Sequence, residues 1–365
     1  MNLIWLIVFL LVLLGSCGYI GWHVWQLVPL GLVGKWLVVG AMLLCFICLF
    51  ANFFLDKSPM PVATVLYEVG NSSIFIGLYL LMLFLVLDLG RLVRLVPKSF
   101  LYNSWAGTAT VFVVIVGLFV YGYLNYLHKE RVELTLKTEK KMKQKHRVVM
   151  MTDLHLGYHN RADEFRTWVD KVNEEQPEAI FIGGDIIDRS IRALSEQDMA
   201  AEFRRFQAPV YACLGNHEYY SGEPRAKKFY EESGIHLLID DYALVPLKGG
   251  DTLLVVGRDD RTNKRRARLK NLMQKVPQEY YTILLDHQPY HLEEAEQAGI
   301  DFQLSGHTHY GQVWPISWIE DLIYENAFGP LQKGKTQYYV SSGIGIWGGK
   351  FRIGTRSEYV VAELR

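Results

Sequence analysis

Apolar residues dominate the first third of the chain, and their density falls abruptly after it. Up to about Tyr126, long uncharged runs are separated by short segments that carry Pro, Lys, Asp or Arg. A helix needs roughly 20 apolar residues to cross a bilayer core of about 30 Å. About four runs approach this length, and they predict transmembrane helices over residues 3–22, 36–54, 74–92 and 106–126. We therefore assign residues 1–128 to an all-α transmembrane region.

The first of these runs could instead be a cleavable signal peptide. The stretch Leu14-Gly15-Ser16-Cys17 resembles a lipoprotein cleavage site. A signal peptide also requires a basic segment ahead of its apolar run, and the first Lys of the chain is Lys35. The sequence therefore favours a helix that remains uncleaved.

One carboxylate, Asp88, lies near the end of the third run. Charged residues inside a membrane often mark proton or ion sites. Arg91 follows nearly one turn later, at a spacing that lets two side chains pair on a helix surface. We expect a structural ion pair at the helix end rather than a functional site.

Residues 129–365 have the charge density and turn spacing of a soluble globular domain. Short apolar runs alternate there with charged amphipathic stretches, which predicts strands that alternate with helices. The predicted strands cover residues 132–137, 147–151, 179–182, 210–214, 253–256 and 282–285. We predict an α/β domain in which a sandwich of β-sheets is flanked by helices.

Composition excludes little beyond this. The formal net charge is zero, so no global charge argument supports a nucleic-acid partner, and we expect none. Three of the four cysteines fall in the apolar part and Cys213 stands alone, so no disulfide framework can form. This usage is compatible with a reducing compartment.

The orientation of the predicted helices follows from the basic residues near their ends. Seven Lys and Arg residues lie between 129 and 145, just after the last helix, while Lys35, Arg91, Arg94 and Lys98 lie in loops on the opposite side. Because Lys and Arg collect on the cytoplasmic side, the count favours a cytoplasmic catalytic domain. A translocated domain is the alternative, since large domains cross regardless of charge.

Polar clusters follow five of the apolar runs in the second part, where α/β folds place their chemistry. They are Asp153-Leu154-His155, the run 183–189, Gly215-Asn216-His217-Glu218, Asp286-His287 and Gly306-His307-Thr308-His309. Their oxygen and imidazole donors, without thiolate, suit Mn, Fe or Zn rather than a structural zinc site. Seven such residues can fill two adjacent coordination spheres if one carboxylate bridges the metals.

The order of these motifs resembles that of the calcineurin-like metallophosphoesterase superfamily. The resemblance implies that Asp153, His155 and His309 hold one metal and Asn216, His287 and His307 the other. It also implies that Asp185 bridges the two ions, that His217 is the catalytic histidine and that Asp188 orients it. The expected cofactors are two divalent ions, Mn first, with Fe or Zn as alternatives.

The similarity extends over roughly 131–365. It includes resemblance to a bacterial membrane-associated or exported subgroup, carried by Gly311-Gln312, Ser342-Gly343-Ile344-Gly345, Arg352, Gly354 and Glu358. That subgroup includes phosphodiesterases and some UDP-diacylglucosamine pyrophosphatases. Tyr310 departs from it, because the subgroup often has Gly there, so the rim of the site is expected to differ. Arg189 follows its motif as a phosphate-contacting Arg does in related serine/threonine phosphatases, or else it is a surface residue at a helix start.

The resemblance implies a membrane-anchored hydrolase in which a metal-bridging hydroxide attacks phosphorus. The substrate is expected to be a phosphomonoester, a phosphodiester or a pyrophosphate, either a small molecule or a lipid-linked precursor at a bacterial cell membrane. The alternative is that the metal domain regulates a membrane sensor or transporter. The apolar helices argue against transport, because they show no internal repeat and only one buried-looking charge, Asp88.

Overall fold

The computed structural model describes residues 3–140 and 142–365, and side chains at 3–6, 9–10 and 52–53 lie outside this description. Lys141, one of the seven basic residues counted above, is therefore not described. The chain forms two compact units. The helical unit ends at Tyr123 and includes Gly348–Lys350, and the α/β unit comprises Leu124–Trp347 and Phe351–Arg365.

Among the described residues, four helices of 16 residues or more and one of 4 residues belong to this helical part of the chain. They are α1 (Leu3–Leu27), α2 (Leu32–Ile47), α3 (Met60–Leu92), α4 (Lys98–Leu101) and α5 (Trp105–Leu127), with a 3-10 segment at Phe50–Lys57. In the described part of the chain, α3 and α5 are long and apolar enough to cross a membrane, and α2 is a shorter apolar helix. Ile20, Val24, Phe84 and Val111 are buried together in the core of this unit.

Helix α3 begins at Met60, well before the predicted start at residue 74. Polar residues around Asn71 interrupt the apolar run without breaking the helix. Asn71 donates to the carbonyl of Tyr67, and Ser73 donates to that of Gly70, so these side chains bond to their own helix. Helix α2 also differs from prediction, since it ends at Ile47 and the chain continues as the 3-10 segment.

The expected pair of Asp88 with Arg91 is wrong. Asp88 instead accepts a hydrogen bond from the hydroxyl of Tyr19 at 2.8 Å and lies 3.1 Å from Nε2 of His23, both on α1. Arg91 donates to the hydroxyl of Tyr102. The carboxylate therefore joins two helices, which spacing along one helix could not reveal.

The α/β unit is built on two six-stranded sheets. The first has the order β1-β12-β2-β3-β4-β5 and the second the order β10-β11-β9-β8-β7-β6. The strands are β1 (Lys129–Leu136), β2 (His146–Met151), β3 (Ala179–Ile182), β4 (Val210–Ala212), β5 (His236–Leu237), β6 (Asp241–Pro246), β7 (Thr252–Gly257), β8 (Tyr281–Leu285), β9 (Phe302–Ser305), β10 (Gly329–Lys333), β11 (Thr336–Val340) and β12 (Ser357–Leu364).

Within residues 142–365, eight helices accompany these sheets. They are α6 (Ala162–Glu174), α7 (Ile191–Ser195), α8 (Met199–Phe203), α9 (Asn216–Tyr220), α10 (Glu223–Glu232), α11 (Leu269–Met273), α12 (Glu293–Gln297) and α13 (Ile316–Ile323). Helix α6 buries Phe165, Trp168, Val169 and Val172, the spacing of one helix face.

The core lies between the two sheets, because alternate residues of facing strands point inward. Val148 and Met150 of β2 belong to one buried cluster with Val255 of β7 and Ile283 of β8. Every residue of β3 is buried, as expected for a strand covered on both faces. The predicted α/β sandwich with flanking helices is confirmed.

The topology brings the polar clusters together. Strands β2, β3 and β4 are parallel neighbours in one sheet, and β8 and β9 are parallel neighbours in the other. The carboxyl ends of parallel neighbours meet at the same edge of a sheet. Each of the five polar clusters begins within a few residues of one of these strand ends.

Candidate metal centre

One group of possible metal ligands consists of Asp153, His155 and His309, all of them buried. The Nε2 atoms of the two histidines lie 3.0 Å apart. Oδ1 of Asp153 lies 3.8 Å from Nε2 of His155 and 3.5 Å from Nε2 of His309. Three donor atoms therefore converge on one point, which is the geometry that a cation requires.

A second group consists of Asp185, His287 and His307. Nε2 of His287 lies 3.1 Å from Oδ2 of Asp185. The Nδ1 atom of His287 bonds to the carbonyl oxygen of Gly183 at 2.7 Å, so Nδ1 carries the proton and the lone pair of Nε2 remains for a metal.

Asp185 links the two groups. Its Oδ2 atom lies 3.7 Å from Nε2 of His155, and it also forms a group of possible ligands with His155 and His217. A carboxylate that faces histidines of both groups is the arrangement expected of a bridging ligand.

Asn216 supplies the seventh predicted donor. The residue is buried, and its side-chain oxygen has no hydrogen-bond partner among the described residues. A buried amide oxygen without a partner is costly unless another group satisfies it. The donor set of oxygen and imidazole nitrogen atoms thus fits divalent ions such as Mn, Fe or Zn.

The ligand loops adopt backbone conformations that L-residues rarely take. Positive φ angles occur at five predicted ligands: Asp153 (55°), His155 (44°), Asp185 (51°), His307 (72°) and His309 (47°). Asp and His tolerate this region better than most residues, but such conformations still have a cost and concentrate at functional sites. The surrounding structure must therefore hold these loops in place.

Two glycines allow the loops to approach each other. A Cβ atom at Gly215 would come within 2.1 Å of Oδ1 of Asp185, and one at Gly306 within 2.2 Å of Oδ2 of Asp153. The space beside both carboxylates thus depends on the missing side chains. Steric exclusion of a side chain therefore explains why the Gly-Asn-His-Glu and Gly-His-Thr-His motifs begin with glycine.

Burial and neighbouring charges shift the pKa values of the predicted ligands in both directions. Burial opposes ionisation of Asp185, but the nearby His287 and His217 outweigh it and hold its pKa well below the ordinary value. Burial, assisted by the charge of His287, lowers the pKa of His307 to about 4. Burial likewise keeps the pKa of His309 well below its ordinary value. Burial disfavours the charged form of His287, but the charge of Asp185 outweighs burial and raises the pKa of His287 well above its ordinary value. The pKa values of Asp185, His307 and His309, in contrast, are shifted toward the forms that bind metal.

The pKa of His155 is shifted upward, in contrast to those of His307 and His309. Burial disfavours its charged form, but Asp153 and Asp188 outweigh burial and raise the pKa to about 10. Oδ1 of Asp188 lies 3.4 Å from Nδ1 of His155. Asp188 thus orients a predicted ligand.

His217 is only partly buried, unlike the predicted ligands around it. Its Nδ1 atom makes a close hydrogen bond to the backbone carbonyl of Asp188, whereas the Asp188 carboxylate is 3.9 Å away. The ring lies edge-on to that of His155, with centroids 4.5 Å apart. Asp188 therefore contacts His217 mainly through its backbone, and an orienting role for its carboxylate stays a prediction.

Arg189 and Tyr310 occupy the surroundings of the centre. Arg189 is exposed, and its contact with substrate stays a prediction. Tyr310 stacks on Phe328 with ring centroids 4.9 Å apart, and its hydroxyl lies 3.3 Å from Oδ2 of Asp321 on α13. Tyr310 therefore packs against Phe328 and Asp321, and a difference in the rim of the site stays a prediction.

Sequence reasoning missed three residues that hold the loops. Glu218, fully buried, accepts hydrogen bonds from the backbone N–H groups of Asp185, Ile187 and Gly215. Asn160 donates to the carbonyls of Leu154 and His155. The third residue is Arg352, which lies more than 40 positions after the last ligand and donates to the carbonyl of His309. Glu218 lay inside the Gly-Asn-His-Glu motif and Arg352 was part of the subgroup resemblance, although neither was assigned this role, and no sequence signal marked Asn160.

Comparison with known proteins agrees with this geometry. The family model described as calcineurin-like phosphoesterase matches residues 146–311, a range that contains all seven predicted ligands. An uncharacterized metallophosphoesterase of Helicobacter pylori strain J99 is 29% identical over 259 residues, which cover 70% of this chain and 68% of the relative. A transmembrane protein with metallophosphoesterase domain of Danio rerio is 26% identical over 337 residues, 86% of this chain and 75% of the relative.

A solved structure of a 5'-nucleotidase precursor from Thermus thermophilus matches with a TM-score of 0.38 and 13% identity. The match covers 60% of this chain and 54% of that structure, and a likeness this distant says nothing about the substrate. The family model and the named relatives identify the α/β unit. Residues 146–311 thus form a calcineurin-like metallophosphoesterase domain, and this family together with the relatives named metallophosphoesterases supports a phosphoester hydrolase.

Proposed function

We propose that this protein is a membrane-anchored phosphoesterase that works with two divalent metal ions. The observation that carries the proposal is the presence of two Asp and His groups, both largely buried, which Asp185 links because it belongs to one group and faces His155 of the other. A single structural ion would need one such group, whereas two groups joined by a carboxylate suit a two-metal reaction.

The proposed ligands divide as the sequence predicts. Asp153, His155 and His309 would hold one ion, and Asn216, His287 and His307 the other, with Asp185 between them. The convergence of three donors in each buried group supports this division for all of these residues except Asn216. The partnerless side-chain oxygen of Asn216 supports its inclusion. Mn is the first candidate, with Fe or Zn as alternatives, since geometry and availability select such metals more than affinity does.

When bound, the two ions would polarise the phosphoryl oxygen and activate water for attack on phosphorus. The chain's own contribution to bond cleavage is the proton that the leaving oxygen needs. His217 is the candidate donor, because Nδ1 bonds to the Asp188 carbonyl and Nε2 remains for the leaving group. General acid catalysis of this kind contributes roughly a hundredfold to ten-thousandfold.

We further propose that the helical unit anchors the domain in a cell membrane, with the catalytic side in the cytoplasm. The length and apolar composition of α3 and α5 support an anchor. The Danio rerio relative, named a transmembrane protein, aligns over most of this chain. An anchored phosphoesterase is suited to a lipid-linked substrate, which it meets at the bilayer surface.

The first experiment tests metal-dependent hydrolysis and ester preference together. Purified full-length protein is assayed with p-nitrophenyl phosphate and with bis-p-nitrophenyl phosphate, with and without Mn, and its bound metal is counted. Asp185→Asn should lose activity and bind less metal, whereas Asp170→Asn, an exposed carboxylate paired with Arg205, should match the wild type. Full activity in Asp185→Asn, or one ion per active chain, would refute the two-metal proposal.

A further inference from the structure

Helix α13 presents a row of large apolar side chains to solvent. The exposed fractions are 60% for Trp318, 55% for Ile319, 87% for Leu322 and 53% for Ile323, and Trp314 just before the helix is 39% exposed. A contiguous exposed apolar patch of this kind on a folded domain marks an interaction site rather than ordinary surface.

The periodicity of the segment explains the patch. Within α13, Trp318 and Leu322 are spaced four residues apart, and Ile319 and Ile323 form the adjacent row, so these four share one side. The Trp314 and Trp318 rings meet edge to face with centroids 5.2 Å apart. The polar Ser317 is buried. The helix therefore turns its apolar side away from the protein, the reverse of a helix that packs on a core.

The patch is attached directly to the metal centre. The segment that carries His307 and His309 runs through Gly311 into α13. A Cβ atom at Gly311 would come within 2.4 Å of the backbone nitrogen of Ser317, so the ligand loop and the helix are in close contact. The Tyr310 hydroxyl, 3.3 Å from Asp321, adds a side-chain link.

The last turn of α5 is hydrogen-bonded to the loop Arg352–Thr355, which also contacts the residues just before α13. Asn125 donates to the carbonyls of Arg352 and Thr355 at 2.9 and 2.8 Å. On the other side of this loop, the Thr355 hydroxyl donates to the carbonyl of Gln312, and the N–H of Trp314 donates to the carbonyl of Ile353, both at 2.7 Å. One loop, Arg352–Thr355, thus joins the end of an apolar helix to the start of α13.

We infer that α13 lies in the interfacial layer of the bilayer that α5 crosses. Helix α5 is long and apolar enough to span a membrane, and its last turn, with only His128 between it and β1, would leave the membrane at this loop. Trp side chains favour the interfacial layer, and amphipathic helices lie in it with their apolar side toward the acyl chains.

The charges on α13 define which lipid surface it fits. The helix carries Glu320 and Asp321 and neither Lys nor Arg. Attraction to anionic lipids therefore does not drive its insertion, and burial of apolar area does. A zwitterionic phosphatidylcholine surface is sufficient. If the proposed function is correct, the His307–His309 loop meets substrate phosphates at the level of the lipid headgroups.

The test is the environment of Trp318 in the full-length protein, which requires no turnover and so stands apart from the proposed activity. The protein is reconstituted in phosphatidylcholine nanodiscs with or without bromine on the acyl chains near the headgroup. The emission of Trp318 is obtained by subtracting the fluorescence spectrum of Trp318→Phe from that of the wild type. The control is Leu244→Trp, at an exposed position on β6.

Brominated lipid should remove most of the Trp318 emission, while aqueous acrylamide should quench it weakly. The Trp introduced at position 244 should behave in the opposite way. Quenching of Trp318 by acrylamide to the same extent as the control, without an effect of bromine, would refute the inference. Protection of Trp318 from both quenchers would also refute it and would indicate that a second copy of the chain covers the helix.

Discussion

The backbone carbonyl of His309 accepts a hydrogen bond from the guanidinium of Arg352 at 2.8 Å, in a place where neither residue reaches solvent. The same guanidinium donates to the carbonyls of Ser342 and Gly345 at 2.5 and 3.0 Å. One side chain therefore fixes the left-handed turn at a predicted ligand and the loop that borders it.

Arg352→Leu should lower the free energy of unfolding by roughly 3 kcal/mol or more, because each buried carbonyl left without a donor costs about 1–3 kcal/mol. Denaturant unfolding of the full-length protein in detergent measures this loss. Arg352→Lys should recover part of it, since an ammonium can still donate. Arg192→Leu, which removes a partly exposed pair with Glu196, should change stability by about 0.5 kcal/mol at most. Equal stability of Arg352→Leu and wild type would contradict the role.

His217→Ala should lower kcat by roughly a hundredfold to ten-thousandfold and leave bound metal unchanged. The reason is that the imidazole supplies a proton in the transition state without holding an ion. Steady-state kinetics and metal analysis of the same sample provide the two measurements. His291→Ala, at an exposed histidine beside Glu293, serves as the matched control and should behave as wild type. A parallel loss of metal from His217→Ala would make the residue a ligand instead.

Glu218→Gln should weaken metal binding although residue 218 is outside the predicted ligand set. The carboxylate accepts three backbone N–H groups of the ligand loops, and an amide replaces one acceptor atom by a donor. We expect roughly a tenfold to hundredfold rise in the dissociation constant for Mn, the range found when groups that orient ligands are changed. Calorimetric titration measures it. Glu196→Gln, on an exposed surface, should bind Mn as the wild type does, and the same result for Glu218→Gln would contradict the prediction.

The contact between Asp251 and His146 should make the stability of the protein depend on pH. The Oδ2 atom of Asp251 lies 2.8 Å from Nε2 of the buried His146, and this contact lowers the pKa of the Asp251 carboxyl below its ordinary value of 3.8. A lowered folded-state pKa stabilises the protein above the ordinary value, and the gain disappears as pH falls through the folded-state value. Asp251→Asn should therefore lower the thermal midpoint at about pH 7 and less so at about pH 3. A difference from wild type that stays constant over this range would exclude the linkage.

Leu322→Gln should raise the KM for a membrane-embedded substrate and leave the KM for a soluble one unchanged. If α13 holds the metal centre at the headgroup level, the variant in nanodiscs should show a higher KM for hexadecyl p-nitrophenyl phosphate and an unchanged KM for the methyl ester. The two esters share the reacting group and differ only in chain length. Leu244→Gln on β6 is the control and should affect neither. Equal KM changes for both esters would show that the substitution acts on the centre itself.

The sequence predicted the α/β sandwich because the strands that precede the ligand loops are short apolar runs, and it predicted the ligand loops because the polar motifs follow those runs directly. Parallel pairing of β2 with β3 then brings Asp153 and Asp185 to one edge. Their grouping with histidines from β8 and β9 depends on how two sheets face each other, which no local pattern contains.

The residues that escaped prediction act over long distances along the chain. Arg352 reaches His309, and Asn160 reaches Ile346, through contacts that only the folded chain creates. The error at Asp88 has the same origin, because Tyr19 and His23 belong to another helix. Helix α3 starts earlier than predicted because its polar residues bond to their own backbone, whereas hydropathy treats them as interruptions.

Strand β12 lies between β1 and β2 in the first sheet, paired with β1 from Lys129–Ser357 to Leu136–Leu364 and with β2 from Met150–Val360 to His146–Leu364. Residues 357–364 follow the other strands of the two sheets along the chain, so they leave the ribosome after them. Until then β1 lacks the strand that it pairs with and β2 presents an open edge, the kind of edge that recruits other chains. The first sheet is therefore completed only by the last of its own strands in chain order.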